Sequence, residues 1–228
     1  MVRRGSGIAQ VEGRGLADPG PLPRKAALLM RRTILLLATT ALTVLVASGV
    51  ALAVNKIGTD GPDTLRGTNG ADSLYGRGGN DILFALAGDD NLLGGPGKDV
   101  VLGGNKVRPF GGDKNLVGGP GNDWINGGNG SDIIVSNAGN DFVSNPAGAS
   151  RPRDKFSAGD GKDVIVIDND PAARDLVSCG DGIDWVSADK KDAVAADCEN
   201  VADTAAEREQ LQQDIPQSFW AGLPPFPS

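Results

Sequence analysis

From Gly58 the chain repeats itself every nine residues: GTDGPDTLR, GTNGADSLY, GRGGNDILF, ALAGDDNLL and GGPGKDVVL follow one another without a gap. The period breaks at residues 103–108 (GGNKVR), three residues short of a unit, and resumes as PFGGDKNLV, GGPGNDWIN, GGNGSDIIV and SNAGNDFVS, ending at Ser144. In every unit the fourth position is glycine, from Gly61 to Gly139. The eighth is always aliphatic: Leu65, Leu74, Leu83, Leu92, Val101, Leu116, Ile125, Ile134 and Val143. The sixth is Asp63, Asp72, Asp81, Asp90, Asp99, Asp123, Asp132 and Asp141, with Lys114 the one departure. A period this short excludes a wide globular core and demands a stack of near-identical turns.

Each position has a physical task. A recurrent glycine lets the backbone take positive φ, so the first six residues can close a tight loop whose carbonyls point inward. The last three form a short strand in which the eighth side chain faces in and its neighbours face out. Two units then make one turn of a flattened coil, and successive turns stack their strands in parallel around a single file of Leu, Ile and Val. Loops 18 residues apart share an edge of that coil, which sets Asp63 against Asp81, Asp72 against Asp90, Asp81 against Asp99, and Asp123 against Asp141. Carboxylates this close repel unless a hard cation lies between them. A donor set of carboxylates and carbonyls suits calcium better than zinc, which takes nitrogen or sulfur, or magnesium, which keeps its waters. The eight sixth-position aspartates are therefore the candidate metal ligands. Lys114 has two readings: decay of one repeat beside the break, or a built-in cation directed at Asp132, 18 residues on.

Composition narrows the chemistry further. The 228 residues include 34 Gly and no histidine, which excludes Ser-His-Asp and Cys-His nucleophilic arrangements and removes the commonest ligand of catalytic zinc. No enzyme is expected. Gly97-Lys98 and Gly161-Lys162 are each followed by Asp, so neither is a phosphate loop, and the sequon Asn129-Gly130-Ser131 is explained by the repeat alone. The outward residues Thr64, Ser73, Ile82, Asn91 and Val100, taken in chain order, form no regular row of the kind that binds ice or glycan.

The pattern GGxGxDxUx (U, a large aliphatic residue), nearly unaltered in GGPGNDWIN and GGNGSDIIV, resembles the nonapeptide of the repeats-in-toxin, or haemolysin-type, calcium-binding proteins over about residues 58–201. The resemblance implies an all-β fold, a right-handed parallel β-roll or β-solenoid, with calcium between the loops of alternate repeats. The first two positions depart from the pattern in Gly58-Thr59, Ala85-Leu86 and Ser136-Asn137. Weaker echoes follow in RPRDKFS, AGDGKDVIV, ARDLVS, GDGIDWV and KKDAV, where Asp154, Asp163, Asp175, Asp184 and Asp192 keep the sixth-type place at uneven spacing. The expectation is that register drifts here and that the stretch serves as a cap. Cys179 and Cys198, an even pair in an exported chain, are expected to form a disulfide. The surrounding VSCGDGIDWVSADKKDAVAADCENV also resembles the terminal element of secreted bacterial calcium-binding repeat proteins.

Residues 30–53 join two arginines to an uncharged apolar run that finishes in Ala51-Leu52-Ala53. An uncleaved membrane anchor is one reading. A signal peptide is favoured by the small-x-small ending, with the mature chain beginning at Val54. Its removal leaves 15 Lys and Arg against 27 Asp and Glu, a balance unsuited to nucleic acid. Five segments follow: 1–29, disordered or upstream of a start at Met30; 30–53, signal peptide; 54–144, calcium-binding β-roll; 145–201, degenerate repeats and disulfide-bonded cap; 202–228, a helix over 202–213 and a flexible tail. The expected function is an extracellular calcium-binding protein that folds on meeting calcium and acts as a surface or matrix structural or adhesive module. Its expected partners are calcium ions and cell-surface or matrix polysaccharide, and a membrane only through an uncleaved signal segment. The alternative is an accessory module for an extracellular enzyme acting on polysaccharide or lipid.

Overall fold

Nine-residue units build half-turns. The computed structural model describes residues 52–104, 114–145, 153–167 and 173–225, so the segment expected upstream of residue 52 and the centre of the break after residue 104 lie outside the described residues. Odd-numbered strands are β1 (Asn55–Ile57), β3 (Ser73–Tyr75), β5 (Asn91–Leu93), β7 (Asn115–Pro120), β9 (Ile133–Ala138), β11 (Lys155–Gly161), β13 (Leu176–Gly182) and β15 (Ala193–Val194). Even-numbered strands are β2 (Thr64–Arg66), β4 (Ile82–Phe84), β6 (Val100–Leu102), β8 (Trp124–Asn126), β10 (Phe142–Ser144), β12 (Val164–Val166), β14 (Trp185–Ser187) and β16 (Asn200–Ala202). Each set forms one eight-stranded sheet in which every strand pairs with the next but one along the chain, always in parallel. This is the all-β parallel solenoid that the repeat predicts.

The core is the expected single file. Leu74, Leu83, Leu92, Val101, Leu116, Ile125, Ile134 and Val143 are all buried, while Leu65, in the first complete half-turn, is only partly covered. Phe156, Ile165, Val177 and Val186 continue the column through the degenerate repeats. Register does not drift. Phe142 pairs with Val164 and Val164 with Trp185, so partners stand 22 and 21 residues apart in place of the regular 18 and each turn re-enters alignment.

The break near residue 103 is likewise an insertion into a turn, not a shortened half-turn. Asn91 pairs with Asn115 and Val100 with Trp124, six residues beyond the regular 18. Gly103 and Gly104 still take their ordinary places, with the Gly103 N–H donating to the Asn126 carbonyl.

The C-terminal segment corrects one expectation. After α1 (Ala205–Asp214), opened by a Thr204/Glu207 capping box, the stretch expected as a tail folds into α2 (Gln217–Gly222). Its docking follows from the outer face of the even sheet, where Ile82, Val100, Trp124, Phe142, Val164 and Trp185 stack in one column. Leu211, Ile215 and Phe219 pack with Val164, Trp185 and Ala202, and the Trp220 ring lies 5.4 Å from that of Phe142. Lys98 Nζ holds the Gly222 carbonyl at 2.7 Å.

Candidate metal centre

Two edges join the sheets. Crossings from odd to even strands make the first edge; counted from the three core residues by which each odd strand pairs with its neighbours, the crossings at 58–63, 76–81, 94–99, 118–123, 136–141, 158–163 and 179–184 all have six residues, the first of them still paired as strand in β7, β9, β11 and β13. Crossings from even to odd strands make the second edge. They run through 67–72, 85–90 and 127–132 at six residues, but lengthen at 103–114, 145–154 and 167–175. Every insertion in the array therefore falls on one edge.

On the first edge the sixth-position aspartates form an unbroken ladder. The backbone N–H of Asp63 donates to Asp81 Oδ1, and the same bond repeats from Asp81 to Asp99, Asp99 to Asp123, Asp123 to Asp141, Asp141 to Asp163, and Asp163 to Asp184, each at 2.8 Å. Asp184 passes it to Glu199 at 3.0 Å. Of the expected site residues, Asp63, Asp81, Asp99, Asp123 and Asp141 meet here. Asp163 and Asp184 belong to the same ladder although uneven spacing hides them. The signal for both is in the sequence: AGDGKDVIV and CGDGIDWVS match the nonapeptide at positions two, four, six and eight.

The second oxygen of these carboxylates carries the chemistry of the edge. Oδ2 of Asp81, Asp99, Asp123, Asp141, Asp163 and Asp184 is buried and makes no hydrogen bond. A buried anionic oxygen left in this state costs far more than an exposed one. In the earlier loops Oδ2 faces the first-position glycine, and a Cβ on Gly76, Gly94 or Gly118 would collide with Asp81, Asp99 or Asp123. The strain shows in the acidities. Burial is the main cause that pushes Asp99 up to about 7, Asp123 up to about 8, Asp141 up to about 9 and Asp163 up to about 7. The N–H bond from the preceding aspartate opposes the shift, and the neighbouring carboxylate adds to it. Asp63, at the open end, goes the other way because the Thr59 N–H and hydroxyl hold its carboxylate.

The second edge has a ladder of its own. Val54 N–H donates to Asp72 Oδ1 at 2.7 Å and Asp72 N–H to Asp90 at 3.0 Å. Further on, Asp132 donates to Asp154, Asp154 to Asp175 and Asp175 to Asp192. Thr68 caps Asp72 Oδ2, and the Asn145 amide caps Asp154 Oδ2. Asp72, Asp90 and Asp132 are thus brought to the edge opposite their five expected companions. Lys114 occupies the ladder place between Asp90 and Asp132, fully buried, with its ammonium 3.8 Å from Asp132 Oδ1 and 2.8 Å from the Asn129 carbonyl.

Residues that fit a hard cation are therefore present in number: paired buried carboxylates with unsatisfied oxygens, in glycine-rich loops of stacked backbone. Among the described residues no three carboxylate, thiol or imidazole side chains converge, so an ion here would combine a carboxylate pair with carbonyls. The Cys179–Cys198 disulfide is formed as expected and ties the loop at 179–184 to the last crossing. Residues 57–92, 79–105 and 110–143 match the family of the RTX calcium-binding nonapeptide repeat, in four copies. No curated protein matches the chain. The nine-residue period, the two-strand turn and the aspartate ladders agree with that match: over these residues the chain carries RTX, or haemolysin-type, calcium-binding nonapeptide repeats.

Proposed function

We propose that this is an exported protein whose β-roll folds on binding extracellular calcium, and that the folded roll serves as a surface or matrix structural or adhesive module. The observation that carries the reading is the run of six buried carboxylate oxygens without a partner on the first edge. Asp63, Asp81, Asp99, Asp123, Asp141, Asp163 and Asp184 would hold ions in the gaps between successive loops, with Asp72 and Asp90 forming one more pair on the second edge. Calcium, when bound, supplies the positive charge that lets these carboxylates stay ionised inside the stack. At the low calcium of a cytosol the same carboxylates repel one another, which keeps the chain unfolded for export.

Export through cleavage after Ala53 fits the structure at one atom. The nitrogen of Val54 lies 2.7 Å from Asp72 Oδ1, so cleavage there would turn a backbone donor into an ammonium at the head of the second ladder. The Cys179–Cys198 disulfide suits an oxidising compartment. Equilibrium dialysis of the secreted protein against calcium tests the binding claim, with on the order of seven ions per chain expected at millimolar calcium. One ion or none would remove its basis. N-terminal sequencing of the secreted form should begin at Val54, and calcium-dependent retention on purified cell-surface polysaccharide tests the adhesive role.

A further inference from the structure

The two edges carry the same ladder of N–H to carboxylate bonds but settle its charge in different ways. On the first edge, six successive aspartates keep a buried oxygen without a partner. On the second, side chains stand beside three of the carboxylates: Thr68 at Asp72, Asn145 at Asp154, and Lys114, as a cation, at Asp132. Lys114 is the largest of the fully buried side chains, and a fully buried ammonium is tolerated only where anions and dipoles replace its water. Its surroundings meet that condition with one carboxylate oxygen and one loop carbonyl, the donor types that a calcium ion takes. The attraction reaches Asp154 on the following turn, where Lys114 is the charge that counters the pull of burial, Asp132 and Asp175.

We propose that Lys114 is the resident cation of the second edge, its ammonium standing between two turns where the other in-phase units call for calcium. The proposal rests on the calcium reading of the first edge only for what the lysine replaces. The side chain delivers one positive charge on a tether, so that edge needs no ion from Lys114 to Asp132 and has tolerated longer crossings nearby. Calcium stoichiometry is then unequal between edges: a continuous row from Asp63 to Asp184, and a single gap between Asp72 and Asp90 opposite.

Two variants decide it, read by calcium dialysis and by thermal melting of the full secreted chain in saturating calcium. Lys114→Met keeps the bulk and removes the charge. It is expected to leave the ion count unchanged and to lower the melting midpoint by about 10 °C, because Asp132 and Asp154 lose their counter-charge inside the fold. Lys114→Asp restores the sixth-position residue of the other units, and should bind one more ion than the parent and regain the midpoint only when calcium is saturating. A Lys114→Met protein that melts with the parent, or a Lys114→Asp protein that gains no ion, would overturn the proposal. If Lys114→Met does not fold, the ion count of Lys114→Asp decides alone. Should the parent itself bind no calcium, the reading of the first edge fails, whereas the Lys114→Met melt still reports on the ion pair.

Discussion

At the residue scale, the loops are governed by two backbone positions. The fourth must be glycine: Gly121 has φ of 142°, and a Cβ there would run into the Gly97 carbonyl of the preceding turn. Gly121→Ala is expected to destabilise the calcium-loaded protein by about 3 kcal/mol, read as a fall in the denaturation midpoint. The second position also takes positive φ, yet Arg77 (83°), Leu86 (73°) and Asn137 (77°) occupy it beside glycines such as Gly95 and Gly119. Asn adopts this region with little penalty, whereas Arg does not. Arg77 is exposed, so Arg77→Gly relieves the backbone without opening a cavity and should stabilise the fold by about 1 kcal/mol. An unchanged or lower denaturation midpoint would contradict that account. The invariant fourth glycine is plain in the sequence. The second-position requirement is not, because three larger residues mask a conformation that only the dihedrals reveal.

At the scale of elements, the buried middle of the first edge carries the pH dependence. Asp99, Asp123, Asp141 and Asp163 have folded-state acidities raised from the ordinary 3.8 to between about 7 and about 9, with burial as the leading cause. Below about pH 4 they are neutral whether folded or not, and the penalty vanishes. As pH rises through the raised values the folded state must accept charge, so stability in the absence of calcium falls steadily from mild acid to pH 9. Circular dichroism in chelator should therefore show more β structure at pH 4.5 than at pH 9, and the opposite order would contradict the sign. The helical element has its own test. Phe219 is buried against Val164 and Trp185, and Phe219→Ala should cost about 3 kcal/mol while leaving calcium uptake intact. This docking is hidden when the outward residues are taken in chain order. Taken in every second unit, Ile82, Val100, Trp124, Phe142, Val164 and Trp185 form the apolar column that the helices partly cover. The same alternation explains why uneven spacing suggests a drifting register: insertions lengthen only the second edge, while the first keeps its six-residue loops through Asp184.

At the scale of the whole molecule, the roll has a thin core, two long rows of buried acids and a disulfide near its C-terminal end, a combination that ties its stability to its surroundings. The period, the inward aliphatic file and the stacked aspartates are legible in the sequence because each follows from one residue type at one position. The division of labour between edges is not, since it depends on which crossings absorb the extra residues. Far-UV circular dichroism of the disulfide-bonded protein, titrated with calcium from excess chelator at pH 7.5, tests the central claim most directly. A cooperative passage from coil to β is expected, with a midpoint on the order of 0.1–1 mM calcium and reversal by chelator. A full β spectrum in excess chelator, unchanged as calcium is added, would contradict it.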